Sequence, residues 1–303
     1  MSDAHRAYRD ELLQHGLLIS MGVDGLYGRS TVFERIVGGI DHAFSRAADA
    51  DGAETMRFPP GIGKAQLEQS GYLKSSPQLV GTVHSFMGLD RDHRAMIETL
   101  EKGGDWTAGQ KTTQVALTPA TCYAVYPVMA ARGPLAKAGG LVDVRGYCFR
   151  HEPSIDPARL QMFRQREHVR LGTEAQALDF RALWIERAQA IIGSFGLPFE
   201  VDVANDPFFG RTGKLLATSQ REDALKFELL VPITSNEAPT ACASFNYHRD
   251  LFGRAWGVRT AAGEVAHTAC VGFGLERITL ALLKHHGFVP AKWPAKVRDA
   301  LGL

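Results

Sequence analysis

Cysteine is scarce: the 303 residues hold four, Cys122, Cys148, Cys242 and Cys270, and no two make a CxxC pair. That excludes a disulfide-stapled secreted scaffold and fits a reducing compartment. The ordinary expectation for such cysteines is that they pack as small buried hydrophobes. Long apolar runs are missing too, so no segment is expected to span a bilayer. The opening MSDAHRAYRDELLQHGLLIS mixes acids and bases and lacks a signal-peptide core, which makes the cytoplasm the default location. Neither sign of charge is in excess: 34 basic against 33 acidic residues leave a net charge of +1. No global field therefore advertises a nucleic-acid or membrane partner. There is also no internal repeat, low-complexity tract or Pro/Ser linker. With 45% hydrophobic residues, the expectation is one domain over 1–303 with a large core.

What is present is an order of elements. An amphipathic helix is predicted over 5–19, followed by a glycine-rich turn at 22–28. Ser30 or Thr31 caps a helix to about Ala47, with Val32, Phe33, Ile36, Val37, Ile40 and Phe44 at helical spacing. ETMRFPP reads as a strand stopped by Pro59 and Pro60, and 61–73 as a short helix. Helix 90–102 is charged enough to be largely solvated. TTQVALTP is the next strand, and YAVYPVMA starts another helix. Thr173 caps a helix with Leu178, Leu183, Ala188, Ile191, Ile192 and Phe195 inward, ended by Gly196 and Pro198. Strands then dominate: PFEVDVAND, LKFELLVPI, and two more on either side of a turn at Ala261–Gly263. Residues 208–222 read as an irregular basic insertion, and 275–285 as a closing helix with His285 and His286 as partners of its C-terminal dipole. Helices first, then antiparallel-type strands with one long crossing helix, describe an α+β domain.

The densest chemistry lies in VDVRGYCFRHEPSIDPARLQMFRQREHVRLG, residues 142–172. It reads as strand, loop and strand, with Cys148, Arg150 and Glu152 on one face of the first by the period of two. Arg159, Met162, Phe163 and Glu167 are assigned to the second. Forked arginine donors, an aromatic plane and a carboxylate suit a nucleotide polyphosphate. The plainer reading is a surface hairpin with cross-strand ion pairs, worth about 0.2–1 kcal/mol each.

Three patterns in order resemble the catalytic domain of class II aminoacyl-tRNA synthetases, with a mainly antiparallel sheet flanked by helices. Helix 31–47 with its strand and Pro59–Pro60 (about 31–60) resembles motif 1, the dimer-building motif of that family, and so implies a homodimer. Arg150-x-Glu152 followed by Arg159-x-x-x-Phe163 (about 142–170) resembles motif 2. Gly272-x-Gly274-x-Glu276-Arg277 (about 270–284) resembles motif 3. A single GxGxER would be weak; three motifs in order are strong. Within the class, R-L-Q-M-F-R-Q-R-E at 159–167 and Lys226-Phe-Glu228 with Pro232 are similar to seryl-tRNA synthetases.

Two departures narrow the resemblance. The stretch before motif 2 is Ala120-Thr121-Cys122 where most of the class has Thr-x-Glu. With Glu167 and Cys270, Cys122 resembles the zinc site of the atypical, archaeal-type seryl enzymes, with Cys148 and Cys242 as competing ligands. Three thiolate and carboxylate ligands leave a fourth position on zinc for the amino group of the substrate. Second, the chain begins almost at motif 1, so no tRNA-binding domain is expected. Both features resemble the amino acid–[carrier protein] ligases, which load glycine or alanine onto the phosphopantetheine thiol of a small carrier protein.

The resemblance implies roles. Arg150 would hold the α-phosphate of ATP, Glu152 the adenine amine, and Arg159 and Arg277 the β,γ end. Phe163 would stack under adenine, and Leu160 and Lys226 with Ala241, Cys242, Ala243 and Ser244 would line the ATP site. Mg2+ is expected with ATP, its ligand left open among Pro239, Thr240 and Glu237. Two alternatives stay open: a minimal seryl-type tRNA synthetase, and a non-catalytic regulatory paralogue. For carrier recognition the basic residues Arg211, Lys214 and Arg221 are the candidates, against a solvated loop.

Overall fold

The computed structural model describes residues 2–303, without the side chains of residues 2, 211–213 and 216. The strands are β1 (Leu18–Val23), β2 (Leu26–Arg29), β3 (Glu54–Arg57), β4 (Gly61–Gly63), β5 (Thr82–Phe86) and β6 (Gln110–Leu117). They continue as β7 (Gly140–Phe149), β8 (Met162–Gly172), β9 (Glu200–Val203), β10 (Lys226–Val231), β11 (Thr240–Tyr247) and β12 (His267–Gly274). The helices begin with α1 (Ser2–Gln14), α2 (Thr31–Ala48), α3 (Lys64–Gln69), α4 (Tyr72–Ser75), α5 (Asp90–Glu101) and α6 (Val125–Ala131). They end with α7 (Glu174–Ser194), α8 (Gly210–Glu222), α9 (Leu251–Trp256), α10 (Leu275–His286) and α11 (Ala295–Leu301).

Seven strands form the main sheet in the order β3-β7-β8-β12-β11-β10-β9, with β4-β6-β5 as a small second sheet. Only β3–β7 is parallel in the main sheet; the other pairs are antiparallel. This is the mainly antiparallel α+β architecture expected. One side is covered by α2, α7 and α10. Phe33, Ile36, Val37, Ile40 and Phe44 form the buried stripe of α2, whose start is capped by the Ser30 hydroxyl accepting from Phe33 N–H. Phe44 stacks on Phe273 of β12 at 3.8 Å between ring centres. Thr173 and Gln176 exchange the two hydrogen bonds of a capping box at the start of α7.

Several local expectations need correction. The first helix stops at Gln14, because Gly16 turns left-handed (φ 61°) and Leu17 and Leu18 are buried at the start of a β1–β2 hairpin. Residues 61–73 split into β4, α3 and the start of α4, broken at Gly71 (φ 79°). The strand carrying Cys148 ends at Phe149, so Arg150, Glu152 and Arg159 belong to the connecting loop rather than to strand faces. In α7 the buried stripe is Ala177, Phe180, Trp184, Ala188 and Ile192, and Leu183 is 42% exposed. Of the residues expected inward, Ala188, Ile192 and Phe195 are buried and Leu178 and Ile191 pack partly buried against the core, so Leu183 is the one that faces away, while Ala177, Phe180 and Trp184 join the stripe. The insertion at 208–222 is helical from Gly210. Instead of a hairpin, β11 and β12 are joined by α9 and a loop with one Arg259–Val265 bridge. His285 and His286 bond the carbonyls of Pro232 and Phe195 on other segments, and α11 follows them.

Candidate active site

Side chains on one face of four neighbouring strands converge on a single cleft. In β8–β12, Glu167 stands opposite Gly272 and Val169 opposite Cys270. In β11–β12, Asn246 faces Cys270 and Ser244 faces Gly272. In β10–β11, Lys226 faces Asn246 and Glu228 faces Ser244. Directly opposed residues share a sheet face, so register alone collects these groups. Cys122 arrives separately, on the short 3-10 turn Thr121–Ala124.

The ligand atoms of Cys122, Glu167 and Cys270 lie within 4.8 Å of one another, and each residue is 3% exposed. Thr121 Oγ1 and Cys122 N–H both donate to Glu167 Oε2 at 2.6 Å. A Cβ on residue 272 would come within 3.1 Å of Glu167 Oε1, so glycine there leaves room for the carboxylate. Burial, with the Cys270 sulfur beside it, pushes the Glu167 carboxyl up to about 7. Cys122 and Cys270 share a hydrogen bond that raises the Cys122 thiol and holds Cys270 well below the ordinary thiol range. Two sulfurs and one carboxylate, buried and open to a cleft on one side, are a donor set that fits zinc with a position to spare. The other two cysteines sit elsewhere. Cys148 is buried with its thiol donating to Gln165 Oε1 at 3.1 Å. Cys242 is the extra residue at a bulge in β11, its thiol pushed up to about 12 by burial.

The cleft, about 1010 Å³ including its open mouth, runs from this cluster to Arg150 and Arg277. Of the residues singled out from sequence, Cys122, Arg150, Phe163, Glu167, Lys226, Ala241, Cys242, Ala243, Ser244, Cys270 and Arg277 line it. Glu152, Arg159 and Leu160 are not in that lining. Leu160 is buried in the core, and Arg159 pairs with Glu152 at 3.4 Å on the loop. Arg150 donates from Nε to the Pro119 carbonyl at 3.1 Å, its guanidinium carbon 5.5 Å from the Phe163 ring centre. Arg277, in the first turn of α10, donates to the carbonyls of Ala158 and Ala241 at 2.9 Å each. Both arginines are thus held by backbone oxygens rather than neutralised by a carboxylate.

Sequence reasoning missed Asp206, Asn246, Tyr72 and Tyr123, which also line the cleft. Asp206 accepts from Lys226 Nζ at 2.6 Å and from Gln220 Nε2 at 2.9 Å, tying α8 to β10; Lys226 also meets Glu228 at 2.9 Å. Only Asn246 had a sequence signal, since it lies two residues beyond Ser244 on one strand. Glu237, weighed as a magnesium ligand, is exposed and outside the cleft lining; Pro239 and Thr240 are half-buried and outside it too.

No family model matches the chain. Two proteins of Bradyrhizobium diazoefficiens, amino acid–[acyl-carrier-protein] ligases 1 and 2, are each 50% identical to it. The first aligns over 287 residues, 95% of this chain and 88% of that protein; the second over 291, 96% and 87%. The type-2 serine–tRNA ligase of Methanopyrus kandleri is 28% identical over 197 residues, 61% of this chain and 37% of that enzyme. Among solved structures, the M. kandleri seryl-tRNA synthetase in complex with A. aeolicus tRNASec superposes with a TM-score of 0.82 at 21% identity, covering 97% of this chain and 60% of that one. The Pyrococcus horikoshii seryl-tRNA synthetase complexed with ATP gives 0.71 at 14%, covering 98% and 62%. The fold is that of a class II aminoacyl-tRNA synthetase catalytic domain. At half identity over nearly its whole length, the chain belongs to the family of amino acid–[acyl-carrier-protein] ligases.

Proposed function

We propose that this chain activates a small amino acid, glycine or alanine, with ATP and transfers it to the phosphopantetheine thiol of an acyl-carrier-type protein. The observation that carries the reading is one cleft joining a buried Cys/Glu/Cys set to Arg150 and Arg277, in a chain half identical to two ligases of that name. In the first step the amino acid carboxylate attacks the α-phosphorus of ATP, forming the aminoacyl-adenylate and releasing pyrophosphate. Little covalent work falls to the protein; it positions the reactants and neutralises developing charge. Arg150 takes the α-phosphate and Arg277 the β,γ end, both pre-aimed by backbone carbonyls. Phe163 supplies the stacking plane, Glu152 and Arg159 close the nucleotide from the loop, and Leu160 supports that loop from the core. Lys226 and the stretch Ala241–Ser244 form the wall.

Cys122, Glu167 and Cys270 would hold zinc. Bound there, the metal offers an open position that selects and orients an α-amino group. Mg2+ accompanies ATP; of the acids lining the cleft, Asp206 and Glu228 are engaged by Lys226. In the second step the carrier thiol attacks the adenylate carbonyl, and AMP leaves as the thioester forms. A thiol of ordinary pKa, near 8.5, needs only modest activation.

The chain acts as one domain over 1–303 and as a homodimer through its motif 1 elements, α2 and β3. No helix of the described residues is long and apolar enough to cross a membrane, and four unpaired cysteines suit the cytoplasm. The carrier surface is proposed at α8, beside the cleft. Lys214 is exposed there, while Arg221 is bonded to the Val203 carbonyl and Asp202; the side chain of Arg211 lies outside the described residues. The decisive experiment supplies labelled amino acid and ATP with either phosphopantetheinylated carrier or total tRNA. Label on the carrier alone is expected; label on tRNA alone would replace this reading with a tRNA synthetase, and no amino acid–dependent pyrophosphate exchange would make the chain non-catalytic.

A further inference from the structure

Beyond the three candidate ligands, the surroundings of the Cys270 sulfur are built from the same register that collects the cleft. Asn246, opposite Cys270 in β11–β12, brings Nδ2 to 3.5 Å from Sγ. His248, just past the end of β11, brings Nε2 to 3.6 Å. On its other side, His248 Nδ1 lies 3.1 Å from the hydroxyl of Thr268, a fully buried residue. A hydroxyl can donate to an unprotonated Nδ1, which leaves the ring proton on Nε2, aimed at sulfur.

We propose that His248, held in that tautomer by Thr268, is a positioning residue that works with Asn246 to orient the Cys270 sulfur toward the metal. The inference rests on the zinc reading above and extends it to a shell of residues which that reading leaves without a role. His248 is not itself a fourth ligand, because the group of candidate atoms within 4.8 Å of one another contains Cys122, Glu167 and Cys270 without it. Two N–H groups on one sulfur fix its lone pairs and temper its donation to the metal. Outer groups of this kind are worth about 10–100-fold in metal affinity when removed. The two cysteines are thereby unequal: among the described hydrogen bonds, these side-chain N–H groups reach Cys270, not Cys122.

The plain alternative is packing. The His248 ring stands edge-on to Phe252 at 4.8 Å and to Tyr126 at 6.4 Å between centres, contacts that phenylalanine would keep. His248→Phe therefore retains the packing and deletes the N–H, whereas His248→Gln restores an N–H near Nε2 and deletes the ring. Zinc affinity by chelator competition, with the sulfur-to-metal charge-transfer band of the cobalt-substituted protein, separates the two.

The expected result is a zinc Kd raised about 10–100-fold in His248→Phe with a shifted cobalt band, and His248→Gln close to the unmodified protein. Thr268→Val, nearly isosteric, should weaken zinc in the same direction by a smaller factor, and it carries the test if His248→Phe does not fold. Wild-type affinity in His248→Phe with loss in His248→Gln would overturn the proposal in favour of packing. Unchanged zinc binding in Cys270→Ala would instead remove the metal reading itself, a separate failure.

Discussion

Glu167 and Gly272 stand directly opposite each other on β8 and β12, and the carboxylate lies over the glycine where a side chain would be. A methyl group there would sit 3.1 Å from Glu167 Oε1. Gly272→Ala is therefore expected to displace the carboxylate, lower bound zinc and cost about 1–3 kcal/mol of stability through overpacking. Metal analysis beside a urea melt checks both; a variant with full zinc and an unchanged midpoint would mean that the carboxylate does not need the space.

Cys122→Ala, Glu167→Ala and Cys270→Ala should each reduce amino acid–dependent pyrophosphate exchange to near background and abolish stoichiometric zinc. The same should follow from prolonged chelation of the unmodified protein, with recovery on adding zinc back. Full exchange in a metal-free preparation would contradict the assignment.

Arg277→Ala should lower exchange by about 10²–10³-fold, the scale of losing one preorganised donor to transition-state charge, while zinc content stays at the unmodified level. The two readouts matter together. Loss of both would point to damage to the fold at the β12–α10 junction rather than to a nucleotide contact.

His168 gives a pH test away from the cleft. It is 1% exposed and stacked on Trp184 at 4.3 Å, and burial lowers its pKa from 6.5 to about 4. Between these values the unfolded chain binds the proton that the folded one refuses, so stability rises with pH across that window. Acidification from pH 6.5 to 4 should remove up to about 3 kcal/mol from this residue. Urea midpoints measured along that range should fall less steeply in His168→Phe, which keeps the stack. Equal slopes would remove His168 as the cause.

The elements behind the three motifs were legible because each is a short stretch with fixed punctuation: a capped helix before Pro59–Pro60, Arg-x-Glu opening a loop, glycines before a helix. What stayed hidden depends on register. Nothing in the chain says that Asn246 will face Cys270 or that Lys226 will face Asn246, because a slip of one residue would send those side chains to the other face. Asp206 was invisible for another reason, since its partners Gln220 and Lys226 lie 14 and 20 residues further on, Gln220 in a stretch read as an irregular insertion. The ends of the hairpin at 142–172 were misread because alternation was continued past Phe149, where the backbone of Arg150 turns to bond Gln161. Leu183 of α7 shows the same limit: spacing locates the helix and most of its buried residues but does not say how far around it the neighbours reach.

Cys270 and Arg277 are seven positions apart on one continuous piece of backbone, β12 running into α10 through Gly274. Under the proposed assignment, one end of that piece holds the amino acid's metal and the other holds the nucleotide. A shift of the strand along its axis moves both grips at once, so the affinities for amino acid and ATP cannot be set independently. Whatever factor ATP contributes to the binding of the amino acid, the amino acid must return to ATP. Under that assignment the size of the coupling is set at the strand–helix junction, whatever molecule collects the product.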